Sequence, residues 1–509
     1  MSESAAGPSL SVPSVAHGPA GCAAVAAGSR DTALAAAAVL RAGGNAVDAA
    51  LGGTLAACIS EVVFTSLGGG GFLLVHQPDG RREVLDFFVN TPGLGDHPTQ
   101  ADPEFTPVTV RYPGTEQVFH VGPGSVAVPG ALAGLFEAHS RHGRLPFSQL
   151  VRPAIDLARH GAVLEPVQAV VLDLVREIMS LTDECARLIS TPHGHAVAGD
   201  LLLNPDFAGF LELIADGTVT SLSSPAFAEP LLDLMGHTSG HVTPDDLAGY
   251  RVARRDPILV ERNGSTISLN APPAFGGVIV AESLGRLDPI DGSPGSWVRV
   301  LDALIAATES NRVAALAADV PQVTQGTTHI SVVDADGMLV SMTTSNGAGS
   351  GVVHPGTGIH LNNMMGEEDL NPGGFHSLPP GIRMGSMMAP IILTGPDGSV
   401  TGLGTGGSER IRSALLLTVL RLVDLGESVP EAVAAPRFHP NEAGIQLEPG
   451  WDPDLPDLLR RQGPVNIWAA PNLFYGGVHA VSRHPDGSVT AVGDSRRSGA
   501  AVVVPVPPR

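Results

Sequence analysis

The chain has 509 residues, 43% of them hydrophobic and 16% charged, so it can bury a large core and is not composed like a disordered polymer. Its formal net charge is −22 and no basic run exceeds two residues, which argues against nucleic acid and anionic membrane as partners. All 29 Lys+Arg positions are arginine, which excludes a Schiff base to pyridoxal phosphate or to a carbonyl substrate, and the lysine of a nucleotide phosphate loop.

Cys22, Cys58 and Cys185 are scattered and odd in number, giving neither a disulfide framework nor metal-ligand spacing. Met1-Ser2-Glu3-Ser4 has no basic stretch leading into an apolar core, and no apolar run approaches the ~20 residues of a membrane span. The expectation is a soluble cytoplasmic protein without metal or cofactor. Codon usage in a GC-rich genome is enough to explain the missing lysine.

Residues 1–16 read as a frayed lead-in. The Ala/Leu-rich spacing from Asp31 to Ala42 predicts a helix with Asp31 as its N-cap, ended by Gly43-Gly44. A second Ala-rich helix is predicted from Asn45 to about Ile59. Phe72–His76 and Glu83–Val89 read as strands joined by an Asp79-Gly80 turn. Ala131–His142, Phe147–His160, Glu165–Ser180 and Pro225–His237 read as helices, with a short one over 245–250. Thr328–Val333 pairs with Met338–Thr344 around Asp336-Gly337, and Pro390–Leu393 with Val400–Gly404 around Pro396-Asp397-Gly398. Ser408–Leu425 is an amphipathic helix, and Val478–Ser482 with Val489–Val492 the last hairpin. Strand pairs flanked by helices imply sheets covered by helices, not a β-sandwich.

Gly326-Thr327 opens a predicted strand. An unshielded Gly326 carbonyl is open to the Thr327 hydroxyl; an N→O shift and hydrolysis would free an amine of pKa near ~8, a general base beside its own nucleophile. The plain alternative is an ordinary strand threonine. Gly402-Leu403-Gly404-Thr405-Gly406-Gly407 matches G-x-G-x-x-G, with Asp424 some twenty residues on. It follows a Pro-Asp-Gly hairpin, where backbone N–H groups at a helix start can equally form an oxyanion hole. Gly68–Gly71 suits a close backbone approach. His329, His354 and His360 lack metal spacing, and Glu367-Glu368-Asp369 is ordinarily a solvated acidic turn.

Taken together, these residues resemble the γ-glutamyltranspeptidase family. The likeness runs from about His17 to Ala500 and includes Gly43 to Ala50, Leu67 to Phe72, Val128-Pro129-Gly130, Pro272 to Gly277, Ala435 to His439 and Thr327-Thr328-His329 through Asp334. The resemblance implies an α+β N-terminal-nucleophile hydrolase with a four-layer αββα sandwich. It implies self-cleavage before Thr327 into a large subunit, 1–326, and a small one, 327–509, that stay intertwined. It makes Thr327 the nucleophile, Ser345 the partner of its amine, Asn346 a substrate-binding residue, and Gly406 and Gly407 the oxyanion hole rather than a dinucleotide loop.

The departures concern recognition. The family's Asp-Phe-Arg-Glu reads Asp86-Phe87-Phe88-Val89, so Phe88 stands where an arginine grips the glutamyl α-carboxylate. Met364 replaces a residue that helps hold the α-amino group, Glu367 keeps a carboxylate there, and a Ser-Ser pair reads Gly385-Ser386. The segment after Glu367 is too short for the lid of some members, and Arg383 is a candidate replacement cation. The expectation is a hydrolase that forms an acyl-enzyme from a small acyl or keto compound other than glutathione. The alternatives are hydrolysis of a carbon–carbon bond in alkylproline-antibiotic biosynthesis, true glutathione hydrolysis or transfer, and an uncut scaffold.

Overall fold

The computed structural model describes residues 12–95, 103–112, 115–317, 326–367, 370–371 and 374–506. The first part of the lead-in, Glu368 and Asp369 of the acidic turn, and part of the short segment after Glu367 lie outside these residues.

Two seven-stranded antiparallel sheets lie face to face. The first runs, in order, Ala253–Arg255, Arg82–Asp86, Gly70–His76, Leu339–Ser345, Thr327–Val333, Cys22–Ala27 and Ala500–Pro505. The second runs Ser14–Gly18, Val489–Gly493, Gly477–Arg483, Val400–Gly406, Ile391–Thr394, Ser265–Leu269 and Ile258–Arg262. Helices Arg30–Arg41, Ala46–Ser60 and Ala131–His142 cover the outer face of the first sheet, and Arg152–His160 packs on Ala46–Ser60. Phe275–Gly285 and Arg410–Val423 cover the second, and Pro294–Ala317 packs on Phe275–Gly285. A third apolar cluster, with Phe72, Leu74, Val333 and Ile392, fills the space between the sheets. The chain is therefore an α+β, four-layer αββα sandwich.

Local chemistry explains the helix that backs the site. Asn45 accepts from the Asp48 N–H at 2.9 Å while the Asp48 carboxylate accepts from the Asn45 N–H at 3.1 Å, a reciprocal cap worth about 1 kcal/mol. The predicted cap at Asp31 is displaced: Ser29 caps that helix by accepting from the Thr32 N–H, and Asp31 falls in the first turn. The continuous helix expected over Glu165–Ser180 is two, Pro166–Leu174 and Arg176–Met179, and Phe147–His160 breaks before Arg152, which Pro153 follows. Cys22–Ala27 had no strand signature because all six residues are buried, so the sequence does not alternate.

The Gly477–Arg483 strand is tied to the chain's last turn by a buried ion network. Asp494 accepts from Arg437 Nη2 at 2.7 Å, from the Val478 N–H at 3.0 Å and from the Arg496 N–H at 3.0 Å, and Arg496 reaches Glu448 at 2.7 Å. Burial pushes the Asp494 carboxyl up, but Arg437, Arg496 and the two N–H groups outweigh it and hold it at about 2. Because the folded pKa is depressed, the contribution is complete above the unfolded carboxylate value near ~3.9 and is lost as pH falls to about 2. Asp494→Asn leaves two buried guanidinium groups short of a counter-charge. It is expected to cost about 3 kcal/mol or more, read as a lower urea midpoint at neutral pH, with the difference from wild type shrinking in acid.

Candidate active site

The Thr327–Val333 strand alternates cleanly. Ile330 and Val332 pack under the helices, while His329, Ser331 and Val333 face the second sheet. Thr327 shares the inner face and pairs in register with Ser345, which pairs with Gly70. Phe88, two residues beyond the Phe72–Asp86 pair, extends this row past Gly70. Thr327, Ser345, Gly70 and Phe88 thus form one line across the sheet, about 4.8 Å apart from strand to strand.

Close packing dictates the residue before Thr327. A β-carbon at Gly326 would collide with the Gly347 carbonyl oxygen and lie 3.0 Å from that of Val63. The Ser345 hydroxyl donates to the Gly326 carbonyl oxygen in a very short bond. The Thr327 hydroxyl donates to Ser345 Oγ at 3.4 Å, a long contact of the kind that tightens when a reaction complex forms. The result is a hydroxyl chain from Thr327 through Ser345 to the carbonyl of the preceding peptide. Ser345 was expected to attend the freed amine; in the continuous chain that nitrogen is a peptide amide, and the serine serves the carbonyl instead.

Gly406 and Gly407 come from the second sheet. The Thr327 carbonyl lies so close to Gly406 that a side chain there would collide with it, and Gly407 has φ +135°, open to glycine alone without strain. Thr405 Oγ1 donates to the Gly406 carbonyl at 2.7 Å and accepts from the Gly477 N–H at 2.8 Å, fixing this corner. Arg497 Nη1 reaches the Thr327 carbonyl at 3.4 Å, and its guanidinium lies 5.3 Å over the Phe64 ring.

The residues around the expected substrate-binding positions divide. Asn363 and Glu367 converge on Gly347: Asn363 Oδ1 accepts from the Gly349 N–H at 3.1 Å and Glu367 Oε1 from the Ala348 N–H at 3.2 Å. Asn346 Nδ2 contacts the Leu361 carbonyl at 3.4 Å. Among the described residues, Asn346 Oδ1 and Asn363 Nδ2 are buried with no hydrogen-bond partner, an arrangement that ordinarily needs an explanation such as a ligand. Phe88 and Met364 sit elsewhere, fully buried with Phe72, Met384 and Met388 in the apolar layer, with the Phe72 and Phe88 rings stacked at 6.0 Å. Ser386 Oγ accepts from the Met388 N–H, and its carbonyl accepts from the Phe275 N–H.

Arg383 does not replace the missing cation. Its Nη1 donates to the Phe88 carbonyl at 2.6 Å, the Tyr250 hydroxyl at 2.9 Å and Asp86 at 3.0 and 3.1 Å, while Nη2 donates to the Arg251 carbonyl at 2.6 Å. The guanidinium clamps the chain around Phe88. Thr327 itself is 1% exposed, so in the continuous chain the site is shut.

Two residues escaped the sequence reading. Arg497 carries no signal beyond the Arg496-Arg497 pair. Glu61 does: it is a lone acid in the apolar stretch Ile59-Ser60-Glu61-Val62-Val63-Phe64, and it is buried against Thr328.

A family model described as gamma-glutamyltranspeptidase matches residues 32–318 and 296–504. The chain is 31% identical over 515 residues to an acylase ACY 1 proenzyme of Pseudomonas sp. (strain SE83), covering 92% of this chain and 90% of the relative. It is 32% identical over 473 residues to a glutathione hydrolase proenzyme of Pseudomonas aeruginosa, covering 82% of each. The solved structure of a cephalosporin acylase from Bacillus halodurans matches with a TM-score of 0.77 at 24% identity, covering 99% of each chain, a likeness of fold.

The packing at Gly326 makes a direct prediction. Gly326→Ala must push the Gly326 carbonyl away from Ser345, and a displacement of about 1 Å is expected to slow any attack of the Thr327 hydroxyl on that carbonyl by about 100-fold. On a denaturing gel the variant is expected to persist as one band of 52.1 kDa longer than wild type does.

Proposed function

The chain belongs to the gamma-glutamyltranspeptidase family, and from that premise we propose that it cuts itself between Gly326 and Thr327 and then hydrolyses a small amide with an apolar acyl group. It is an N-terminal-nucleophile hydrolase acting on amide bonds; the cut position, the residue roles and the substrate class are our reading. The observation that carries the reading is the hydroxyl chain from Thr327 through Ser345 to the Gly326 carbonyl.

In self-cleavage Thr327 Oγ1 bonds to the Gly326 carbonyl carbon. Its proton passes to Ser345 Oγ, whose own proton passes to the carbonyl oxygen, so the tetrahedral adduct is neutral. The C–N bond then breaks as the nitrogen takes a proton and the oxygen returns one, leaving an ester on Thr327. Water hydrolyses the ester, giving the Gly326 carboxylate and a free Thr327 amine.

That amine, with a reference pKa near ~8, is the general base for turnover. It takes the Thr327 hydroxyl proton as Oγ1 attacks the substrate carbonyl, and it delivers that proton to the leaving amine. Backbone N–H groups at Gly406 and Gly407 receive the oxyanion, a contribution of about 3 kcal/mol in comparable sites. Water then releases the acid from the acyl-enzyme.

The relatives include both an acylase and a glutathione hydrolase, so family membership does not decide the acyl group. Phe88 stands where the resemblance expects a carboxylate-gripping arginine, and it is packed into the apolar layer, so that position offers an α-carboxylate no cation; this supports an acyl group without one. Asn346, Asn363 and Glu367 supply polar contacts to the remainder of the substrate.

Straight-chain acyl p-nitroanilides compared with γ-glutamyl-p-nitroanilide test this reading. The apolar acyl substrates are expected to have kcat/KM at least about 100-fold higher, and Thr327→Ala to abolish turnover of both. Faster turnover of the glutamyl compound contradicts the assignment of the acyl pocket.

A further inference from the structure

The turn that follows helix Ala46–Ser60 touches both strands beside the scissile bond. The Val63 carbonyl abuts Gly326, as its packing shows. The Phe64 carbonyl accepts from the Asn346 N–H at 3.3 Å, and Thr65 Oγ1 donates to Thr344 Oγ1 at 2.8 Å. Glu61, which ends the helix by donating its N–H to the Ala57 carbonyl, anchors this turn. Its Oε1 accepts from Thr32 Oγ1 at 2.6 Å, and its Oε2 from Thr328 Oγ1 in a very short bond. Thr328 follows Thr327 and points to the opposite face of the sheet, so Glu61 holds the nucleophile's strand from behind.

We propose that Glu61 is a positioning residue for self-cleavage: as a carboxylate it grips the Thr328 hydroxyl and fixes the Gly326–Thr327 peptide against Ser345. The proposal rests on the self-cleavage reading above. Glu61 touches no reacting atom; it acts through Thr328 and through the 61–65 turn.

The charges that face Glu61 are few. Arg497, which reaches the Thr327 carbonyl, favours the carboxylate, and Glu165 opposes it. Cys58, on Glu61's own helix, is pushed up to about 12 by burial and stays a neutral thiol. Burial lifts the Glu61 carboxyl to about 7, while Thr32, Thr328 and Arg497 pull the other way. Below that value the side chain is an acid, with one oxygen occupied by its own proton; above it both oxygens accept.

Before the cut the Thr327 nitrogen is an amide and does not titrate. Burial holds the His329 imidazole well below its usual range and His479 at about 4. A rise in self-cleavage rate as pH climbs through about 7 is the behaviour expected of Glu61, and Glu61→Gln distinguishes it from the other carboxylates near the bond, Glu165 and Glu367.

The test follows processing of the full chain, made by cell-free synthesis and chased at a series of pH values on a denaturing gel. Wild type is expected to process about tenfold faster at about pH 8 than at about pH 6. Glu61→Gln keeps the shape and one acceptor but cannot ionise; it is expected to process about tenfold slower than wild type at about pH 8 and with a flat profile. Thr328→Val, which removes a donor to the carboxylate, is expected to slow processing and move the rise to higher pH, and it decides the matter if Glu61→Gln fails to fold. Two results overturn the proposal: Glu61→Gln matching wild type in rate and profile, or a slow Glu61→Gln that keeps the wild-type pH dependence. Wild type uncut at every pH overturns the self-cleavage reading itself, and this proposal with it.

Discussion

The structure depends on one crowded peptide. The Gly326–Thr327 bond is enclosed where the two sheets meet: the Gly347 and Val63 carbonyls press on Gly326, and Gly406 presses on the Thr327 carbonyl. No side chain fits at either glycine, and the Ser345 hydroxyl and the carbonyl it holds are buried. A hydrogen bond to a carbonyl counts for more in such surroundings than in water, and it needs no reorganisation when charge develops there. The four layers serve this contact. The helices bury the outer faces, the inter-sheet layer sets the separation, and the Arg437–Asp494–Arg496–Glu448 network fixes the turn that carries Arg497 to the Thr327 carbonyl.

The proposed nucleophile and Phe88 stand at opposite ends of one row. Thr327 and Ser345 hold the hydroxyl chain, and Phe88 closes the row beyond Gly70. The arginine nearest that end, Arg383, is spent on the backbone around Phe88 and Asp86. The methionines beside Phe88, namely Met364, Met384 and Met388, are unbranched and adapt to irregular shapes.

Much of this was legible in the residues. The hairpin carrying Thr327, the caps and turns around it, and the motifs from Gly43 to His439 point to the right fold because local patterning and the global arrangement agree. Cys22–Ala27 was hidden because burial on both faces erases alternation. Asp31 and Ser29 both suit an N-cap, and only the backbone distinguishes them. Arg383 looked like a spare cation because sequence does not show that three neighbouring carbonyl groups and the Tyr250 hydroxyl already claim it. Glu61 lies 266 positions before Thr327, and only the packing of helix on sheet brings it to Thr328.

The central claim is that Thr327 becomes a free N-terminus by its own attack on Gly326. Intact-mass measurement and N-terminal sequencing of the purified protein test it most directly. The account predicts two tightly associated chains, the smaller beginning Thr327-Thr328-His329 and the larger ending at Gly326, with Thr327→Ala remaining one chain. A wild-type protein that stays continuous, or whose smaller chain begins at another residue, contradicts it.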